Sequence, residues 1–455
     1  MGLSIIILAA GKGTRMQSSL PKVLHPLAHK PLLLHVIETA KTLQPRAIYT
    51  IYGHGGGQVP DAFADEPITW VEQKQQLGTG HAVSQAIALI PEEDQVLILY
   101  GDVPLTLSST LKQLIKPTDA QHFALLTVTL KQPQGYGRIV RDTAGDVVRI
   151  VEEKEADAAT KQIQEVNTGI LATQAGALKQ WLSRVRNDNA QEEYYLTDVI
   201  AAAVTQGFNI QTFQPETAEE TLGVNDRVQL AHLERFYQRQ QAEQFLYQGV
   251  TLMDPNRVDF RGDIQIAEDV TLDVNVILQG RVVLGRGVHI GPNTVITDSV
   301  IGDDVVVLAH CVIEQANVGN EVTVGPFARL RPGTTLGNHV KVGNFVEIKK
   351  ADIAEGSKIN HLSYIGDTTM GANVNVGAGC ITCNYDGANK HQTVIGDNVF
   401  LGSDCQLIAP VTIESGATIG AGSTINKNAP ANALTLSRSK QTTIQHWQRP
   451  SKKDQ

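Results

Sequence analysis

Aromatic residues make up only 5% of this 455-residue chain, and cysteines number four (Cys311, Cys380, Cys383 and Cys405). Four thiols are too few to staple a chain of this length, so a disulfide scaffold is excluded and a reduced, cytoplasmic setting is expected. No apolar run approaches the roughly 18 residues needed to cross a bilayer, so no membrane span is expected. The apolar start Ile5–Ala10 is short and has no basic lead, which reads as a first strand rather than a secretion signal. Met1-Gly2 opens like a myristoylation acceptor, but Ile6 stands where Ser or Thr is needed. Basic charge is also short, with 38 Lys and Arg against 47 Asp and Glu and a net charge of −9. A general basic surface for nucleic acid is thereby excluded, whereas a local cationic pocket for a small anion is not.

Glycine is plentiful, with 40 residues, and the length suggests two or three domains. Residues 1–225 alternate short apolar runs with amphipathic stretches. The runs are Ile5–Ala9, Ala47–Tyr52, Val96–Tyr100 and Phe123–Thr129, and the stretches include Leu32–Leu43 and His81–Ile90. This alternation predicts an α/β domain with a mostly parallel sheet, whose ligands bind outside the carboxyl ends of the strands. Asp226 to Gln248 lacks Gly and Pro and places Leu230, Leu233, Phe236 and Tyr237 at helical spacing, which predicts a linker helix over 226–249.

From Ile264 to Ile348, every sixth residue is Ile, Val or Leu except Thr294. The period returns at Ile395, Leu401, Leu407, Ile413, Ile419 and Ile425. A six-residue period predicts a parallel β-helix over 250–437, with aliphatics pointing inward and small residues at the corners. A polar tail, 438–455, follows with Lys440, Arg449, Lys452 and Lys453. The period fails between Ala378 and Thr393, and insertions in repeat proteins tend to lie on the binding face.

Two constellations carry chemistry. In the first, Leu8-Ala-Ala-Gly-Lys-Gly-Thr-Arg-Met16 follows the first strand. Met16 breaks the dinucleotide fingerprint and Gly13 breaks the Walker loop, yet a Gly-rich turn with Arg15 and Lys22 nearby suits a triphosphate. Asp102 stands at a strand's carboxyl end, a usual place for Mg²⁺. In the second, Arg331 and Lys349 lie 18 residues apart, as do Ser403 and Ala421, which stacks each pair on neighbouring coils. Adjacent strands are about 4.8 Å apart, so the two cations repel unless an anion such as phosphate lies over them. His361, Tyr364 and Asn375 follow just before the break. His289, His310 and His339 lack the spacing of a zinc-type site and read as packing or surface residues, and Cys380-x-x-Cys383 has no second pair and reads as two small residues inside the loop where the period fails.

The segments LxxGxGTRM, PK, QxxxxGTGHA (Gln73 to Ala82) and YGD resemble the sugar nucleotidyltransferases. HLSYIGD, NVNVGAG, TCNYDGANK and GSD are similar to the second half of one branch, the bifunctional N-acetylglucosamine-1-phosphate uridylyltransferase/glucosamine-1-phosphate acetyltransferases. The resemblance covers about residues 3 to 447. It implies a Rossmann-like α/β domain, a linker helix and a left-handed parallel β-helix. It further implies that Leu8, Ala9, Ala10, Gly11, Lys22, Gln73, Gly78 and Thr79 hold the uridine nucleotide, and that Tyr100, Gly101 and Asp102 line the sugar-nucleotide site. Gly137, Glu152, Asn167 and Asn225 would contact the sugar, with Asp102 and Asn225 ligating Mg²⁺. Arg15 is assigned to the departing pyrophosphate, and Lys22 to the transferring phosphoryl.

In the second half the resemblance places Arg331, Lys349, Tyr364 and Asn375 on glucosamine 1-phosphate, with His361 as general base. It places Ala378, Asn384, Tyr385, Ser403, Ala421 and Arg438 on acetyl-CoA, with Lys390 in reach of the same site. The expected substrates are UTP, glucosamine 1-phosphate and acetyl-CoA, and the expected assembly is a homotrimer. Two other readings are a different sugar-1-phosphate nucleotidyltransferase with a non-catalytic, oligomerising β-helix, and a non-catalytic subunit keeping both folds. The first should lack His361 and Asn384-Tyr385, and the second should have lost Lys22 and Asp102.

Overall fold

The computed structural model describes residues 2–116 and 123–452, so Lys453 and the end of the tail lie outside the described residues. The chain divides into two compact units, one up to Tyr237 and one from Gln238 onward.

The first unit is built on a nine-stranded sheet. Its elements are β1 (Leu3–Leu8), α1 (Leu32–Lys41), β2 (Ala47–Tyr52), β3 (Thr69–Glu72), α2 (Thr79–Ile87), β4 (Gln95–Tyr100), β5 (Phe123–Thr129), β6 (Arg138–Arg141), β7 (Val147–Val151), β8 (Glu165–Gln174) and β9 (Ile210–Phe213). The order is β9-β5-β8-β4-β1-β2-β3, with the β6–β7 hairpin branching from β8. All neighbours along the order are parallel except β8, which runs antiparallel to β4 and β5. Ile5, Ile6 and Ile7 are fully buried, because a central parallel strand is covered on both faces and so reads as a continuous apolar run. The chain leaves β1 toward β2 and β3, then returns to β4 on the opposite side. The crevice between the carboxyl ends of β1 and β4 is therefore the topological switch point.

A long helix, α3 (Arg227–Tyr247), spans the division between the units. Within the second unit, Gln238 donates to the Phe260 carbonyl (2.9 Å) and accepts from its amide (2.7 Å). That exchange satisfies a strand that has no preceding coil to pair with.

The rest of the second unit is a parallel β-helix of the left-handed hexapeptide type, with one eleven-stranded and one fifteen-stranded sheet. Its core is a continuous file of Val, Ile and Leu. The coil length is not constant. Gln279 pairs with Thr297, 18 residues on, but Val283 pairs with Val300, only 17 on. One residue is lost at the corner around Asp298, whose φ of 47° turns the chain more tightly.

The strict six-residue series therefore slips. Val300 is 47% exposed and Val306 and Val312 are half-buried, while Ile301, Val307 and Ile313 take the core. A second short corner at Gln315 (φ 45°) brings Val318 inward again. Thr294, the apparent exception, is fully buried, and its hydroxyl lies 3.3 Å from the Leu308 carbonyl.

The strands that matter for the site are β10 (Lys341–Asn344), β11 (Glu347–Ile353), β12 (Lys358–His361), β13 (Tyr364–Met370), β14 (Asn375–Val376) and β15 (Ile381–Cys383). β10, β12 and β14 belong to the eleven-stranded sheet, and β11, β13 and β15 to the other. Cys380 points into the core just before β15 rather than sitting in the inserted loop.

Candidate functional site

The switch-point crevice is a cavity of about 560 Å³. Leu8, Ala9, Ala10, Gly11, Lys22, Gln73, Gly78, Thr79, Tyr100 and Asp102 all line it, joined by Lys12, Gln76 and Glu193. Gly13 adopts φ 59°, and a Cβ there would stand 2.6 Å from Cβ of Lys22, so the glycine lets the lysine stem pack against the loop. Gly78 (φ 105°) begins α2, and its carbonyl accepts from the buried Gln73 amide at 3.2 Å. Gly101 packs behind Asp102, where an added Cβ would meet Ala9 at 3.2 Å.

The Val224 amide donates to the Asp102 carbonyl (2.9 Å), which brings Asn225 beside Asp102 from far along the chain. The Lys22 ammonium bridges the two side chains, pairing with the Asp102 carboxylate and donating to Asn225 Oδ1 at 3.2 Å. Two oxygens converging on one cation form a hard donor set that suits a divalent ion completed by substrate phosphate. Arg15 is exposed on the turn Thr14–Met16 and does not line the cavity.

Behind Tyr100 lies a second group. The Asn167 amide donates to the Gly137 carbonyl (2.9 Å), and a Cβ on Gly137 would stand 3.5 Å from Glu152 Oε2. The Thr197 hydroxyl donates to Glu152 at 3.0 Å. Burial, then the nearby charges of Glu152 and Asp102, pushes the Tyr100 phenol up, so it stays a hydrogen-bond donor. Burial also raises the Glu152 carboxyl, against the lowering effect of the Thr197 bond.

In the second unit, Leu330 pairs with Ile348, so Arg331 and Lys349 stand on adjacent coils of one face. Arg331 is held by Glu347 at 2.8 Å. The Lys349 ammonium is pushed down from its ordinary value, first by Lys390, then by desolvation and Arg331. Three cations thus crowd one place, the electrostatic mark of an anion site. Tyr364 lies on the same sheet, its hydroxyl 3.5 Å from the Asn384 amide, and Asn384 is anchored by donating to Asp367 at 2.5 Å. Asn375 sits on the eleven-stranded sheet, between Lys358 and Phe400, apart from this group.

The repeat break is a corner expanded into a loop. Thr368 pairs with Thr393, 25 residues on. The loop closes on Asp386, which accepts from the Ala388 and Asn389 amides (2.8 and 2.6 Å) and pairs with His391 at 2.6 Å. Tyr385 stands out from it, 59% exposed.

An ordered column runs along the edge where the eleven-stranded sheet passes into the fifteen-stranded one, with the inserted loop at the next corner. The Leu362 amide donates to Asn344, Gly379 to His361, Asp404 to Ala378 and Gly422 to Ser403, each through the main-chain carbonyl. These bonds place Asn344, His361, Ala378, Ser403 and Ala421 on five successive coils, and Arg438 Nη1 donates to the Ala421 carbonyl at 3.0 Å.

Comparison with known proteins agrees with both halves. Residues 5–181 match the MobA-like NTP transferase domain, residues 260–351 the GMPPB C-terminal domain, and residues 392–427 six repeats of the bacterial transferase hexapeptide. The bifunctional protein GlmU of Marinobacter nauticus is 56% identical over 450 residues, covering 99% of both chains. That of Cupriavidus pinatubonensis is 54% identical over 451 residues, again at 99% of each, and that of Alkalilimnicola ehrlichii 54% over 99% of this chain and 97% of its own. The chain belongs to the bifunctional GlmU family.

As a GlmU-family enzyme it carries uridylyltransferase and glucosamine-1-phosphate acetyltransferase activities, the two that make UDP-N-acetylglucosamine. Four residues of the two sites escape sequence reasoning: Lys12, Glu193, Asn344 and Asp367. Lys12 is masked by the failed Walker pattern around Gly13, and Glu193 comes from a loop with no pattern of its own. Asn344 and Asp367 become visible only once coils of 17 residues are recognised, since each is 17 residues from its partner.

Proposed function

We propose that the switch-point cavity joins UTP to N-acetylglucosamine 1-phosphate and that the face of the β-helix between the His361 edge and the inserted loop acetylates glucosamine 1-phosphate. The supporting observation is that each unit assembles its own reactive set: Lys22, Asp102 and Asn225 in one, and Arg331, Lys349, Tyr364 and Asn384 in the other.

In the first reaction a sugar-1-phosphate oxygen attacks the α-phosphorus of UTP in line, and pyrophosphate leaves. A phosphate nucleophile is already ionised at neutral pH, so positioning and charge neutralisation carry the rate. The loop Leu8–Gly11, with Gln73, Gly78 and Thr79, holds the nucleotide. Glu152, Asn167 and Gly137 hold the sugar, and Lys22 neutralises the transferring phosphoryl. Arg15, exposed on the adjacent turn, takes the departing pyrophosphate. Asp102 and Asn225 would hold the divalent ion, which we assign as Mg²⁺; when bound, it supplies charge neutralisation on the phosphates.

In the second reaction the amine of glucosamine 1-phosphate attacks the thioester carbonyl. The N–C bond forms, the C–S bond breaks, and CoA leaves with a proton. His361 takes the amine proton, as an imidazole does near neutral pH. Arg331 and Lys349 hold the phosphate with Tyr364, while Asn375, on the eleven-stranded sheet, stands apart from them within one chain. Ala378, Asn384, Tyr385, Ser403, Ala421 and Arg438 hold acetyl-CoA along the column, where the small side chains leave room for it.

A homotrimer is in keeping with an exposed apolar edge of Phe327 and Phe345, stacked at 5.4 Å, next to Leu362 at 61% exposure. A cytoplasmic location accords with four free thiols. Among the described residues, no helix is long and apolar enough to cross a membrane. The test supplies purified protein with acetyl-CoA, glucosamine 1-phosphate, UTP and Mg²⁺, and expects UDP-N-acetylglucosamine, pyrophosphate and free CoA. His361→Ala should abolish CoA release and leave pyrophosphate release from N-acetylglucosamine 1-phosphate intact. Loss of both activities in that variant would overturn the separate-site reading.

A further inference from the structure

The column that carries His361 starts one coil earlier, at Asn344. β10 and β12 pair in parallel with Asn344 directly opposite His361. The Asn344 Oδ1 lies 3.1 Å from His361 Nδ1. The main chain fixes the same pair, because the Leu362 amide donates to the Asn344 carbonyl at 3.1 Å. His361 is tied from the other side as well, its carbonyl accepting from the Ser363 hydroxyl at 2.8 Å. The ring is exposed, so no packed wall sets its angle.

We propose that Asn344 is the positioning residue for the acetyl-transfer base: its amide oxygen takes the His361 Nδ1–H and leaves the Nε2 lone pair directed at the substrate amine. The proposal rests on His361 being that base. An imidazole has two nitrogens, and which one is free to accept a proton is set by the hydrogen bond the other makes. A neutral amide orients the ring without adding a negative charge that would hold the imidazolium. The charged and titratable groups on the strands against this edge are Lys341 on β10, Lys358 on β12, Glu347, Lys349, Lys350 and Asp352 on β11, Tyr364 and Asp367 on β13, and Asp404 beyond Ala378. Glu347 is engaged by Arg331 at 2.8 Å, and no carboxylate is ion-paired with His361 among the described residues.

Two variants test this. Asn344→Ala removes the acceptor, and kcat for acetyl transfer should fall about ten- to a hundredfold with the KM for glucosamine 1-phosphate within about twofold. Asn344→Asp keeps the shape and the acceptor but adds charge. It should recover most of kcat at alkaline pH while moving the acid limb of the kcat–pH profile up by about one unit. Uridylyl transfer, followed by pyrophosphate release, should match the parent in both. A parent-like kcat in Asn344→Ala, or an acid limb that stays in place in Asn344→Asp, overturns the proposal. A purely structural role would lower activity at every pH without moving the limb, which also overturns it. His361→Ala runs alongside: if it retains acetyl transfer, the base assignment itself fails, whereas a dead His361→Ala with unaffected Asn344 variants refutes only the positioning role.

Discussion

Gly366→Ala separates the geometry of the acetyl-transfer site from the stability of the fold that carries it. Gly366 is buried beneath the Tyr364 ring, and a methyl there would collide with the Tyr364 hydroxyl and stand 2.7 Å from the Tyr364 Cζ and 2.8 Å from the Asn384 Nδ2. Ordinary contact begins near 3.4 Å, so the ring must move by at least about 0.7 Å and its hydroxyl by more. The backbone has little freedom to give way instead. The Gly366 amide donates to Thr382 (2.8 Å), and its carbonyl accepts from the Thr368 and Thr382 hydroxyls (2.9 and 3.2 Å). Its φ lies outside the left-handed region, so alanine is conformationally acceptable there.

The strain therefore falls on two side chains assigned to substrate. A misplacement of about 1 Å costs up to about a hundredfold in rate, close to 3 kcal/mol, so a shift of this size should cost between about ten- and a hundredfold. The assay follows CoA thiol release with glucosamine 1-phosphate and acetyl-CoA, alongside pyrophosphate release from UTP and N-acetylglucosamine 1-phosphate. Acetyl transfer should drop while uridylyl transfer and the thermal midpoint stay near the parent values. Acetyl transfer within about twofold of the parent, in a folded variant, would refute the claim that the Tyr364 hydroxyl must stand where it does.

Other perturbations address the first unit. Arg15→Ala should lower kcat for uridylyl transfer at least about tenfold without changing the melting temperature, since the side chain is exposed on its turn; near-normal turnover removes it from the pyrophosphate role. Chelating divalent ions with EDTA should stop pyrophosphate release and leave CoA release unchanged, and equal loss of both would contradict the assignment of the metal to Asp102 and Asn225. Glu152→Gln should stabilise the protein in one pH window only. The Glu152 carboxyl is raised above its ordinary 4.5, so its folded form favours the proton and parent stability falls as pH rises from 4.5 to the raised value, then stays level. The variant's melting temperature should match the parent near about pH 4 and exceed it near about pH 7.5, with uridylyl transfer weakened through the lost sugar contact. A gap that is larger at acid pH would contradict the sign.

The sheet of the first unit was legible because buried parallel strands spell themselves as apolar runs: Phe123–Thr129 matches β5 to the residue, and Ala47–Tyr52 matches β2. Helix ends were less so. The stretch Leu32–Leu43 stops at Lys41, and His81–Ile90 begins at Thr79 because Gly78 starts the helix. The six-residue period revealed the β-helix but hid its phase. A lost corner residue leaves the next hexapeptide looking the same, so Val300 reads as core although its side chain faces outward. The site residues legible from motif alone were those on continuous segments, such as Leu8–Gly11. The tie of Asn225 to Asp102 runs through the Val224 amide, a main-chain contact that no side-chain pattern encodes.

The varying coil length explains how the second site tolerates an interrupted repeat. The paired strands around the edge lie 17 residues apart from Asn344 to His361, 25 from Val376 to Leu401 and 18 from Leu401 to Ile419. Yet Asn344, His361, Ala378, Ser403 and Ala421 remain one above another, because every gain or loss of residues falls at a corner of the fifteen-stranded sheet rather than in a rung. A residue added within a rung would turn its outward side chains into the core. A residue added at a corner changes only how far the chain reaches into solvent. The inserted loop exploits this freedom. It carries Asn384 and Lys390 up to Arg331 and Lys349 while the rungs keep the proposed base and the proposed acetyl-CoA groove at strand spacing, so the site combines an adaptable rim with a rigid axis.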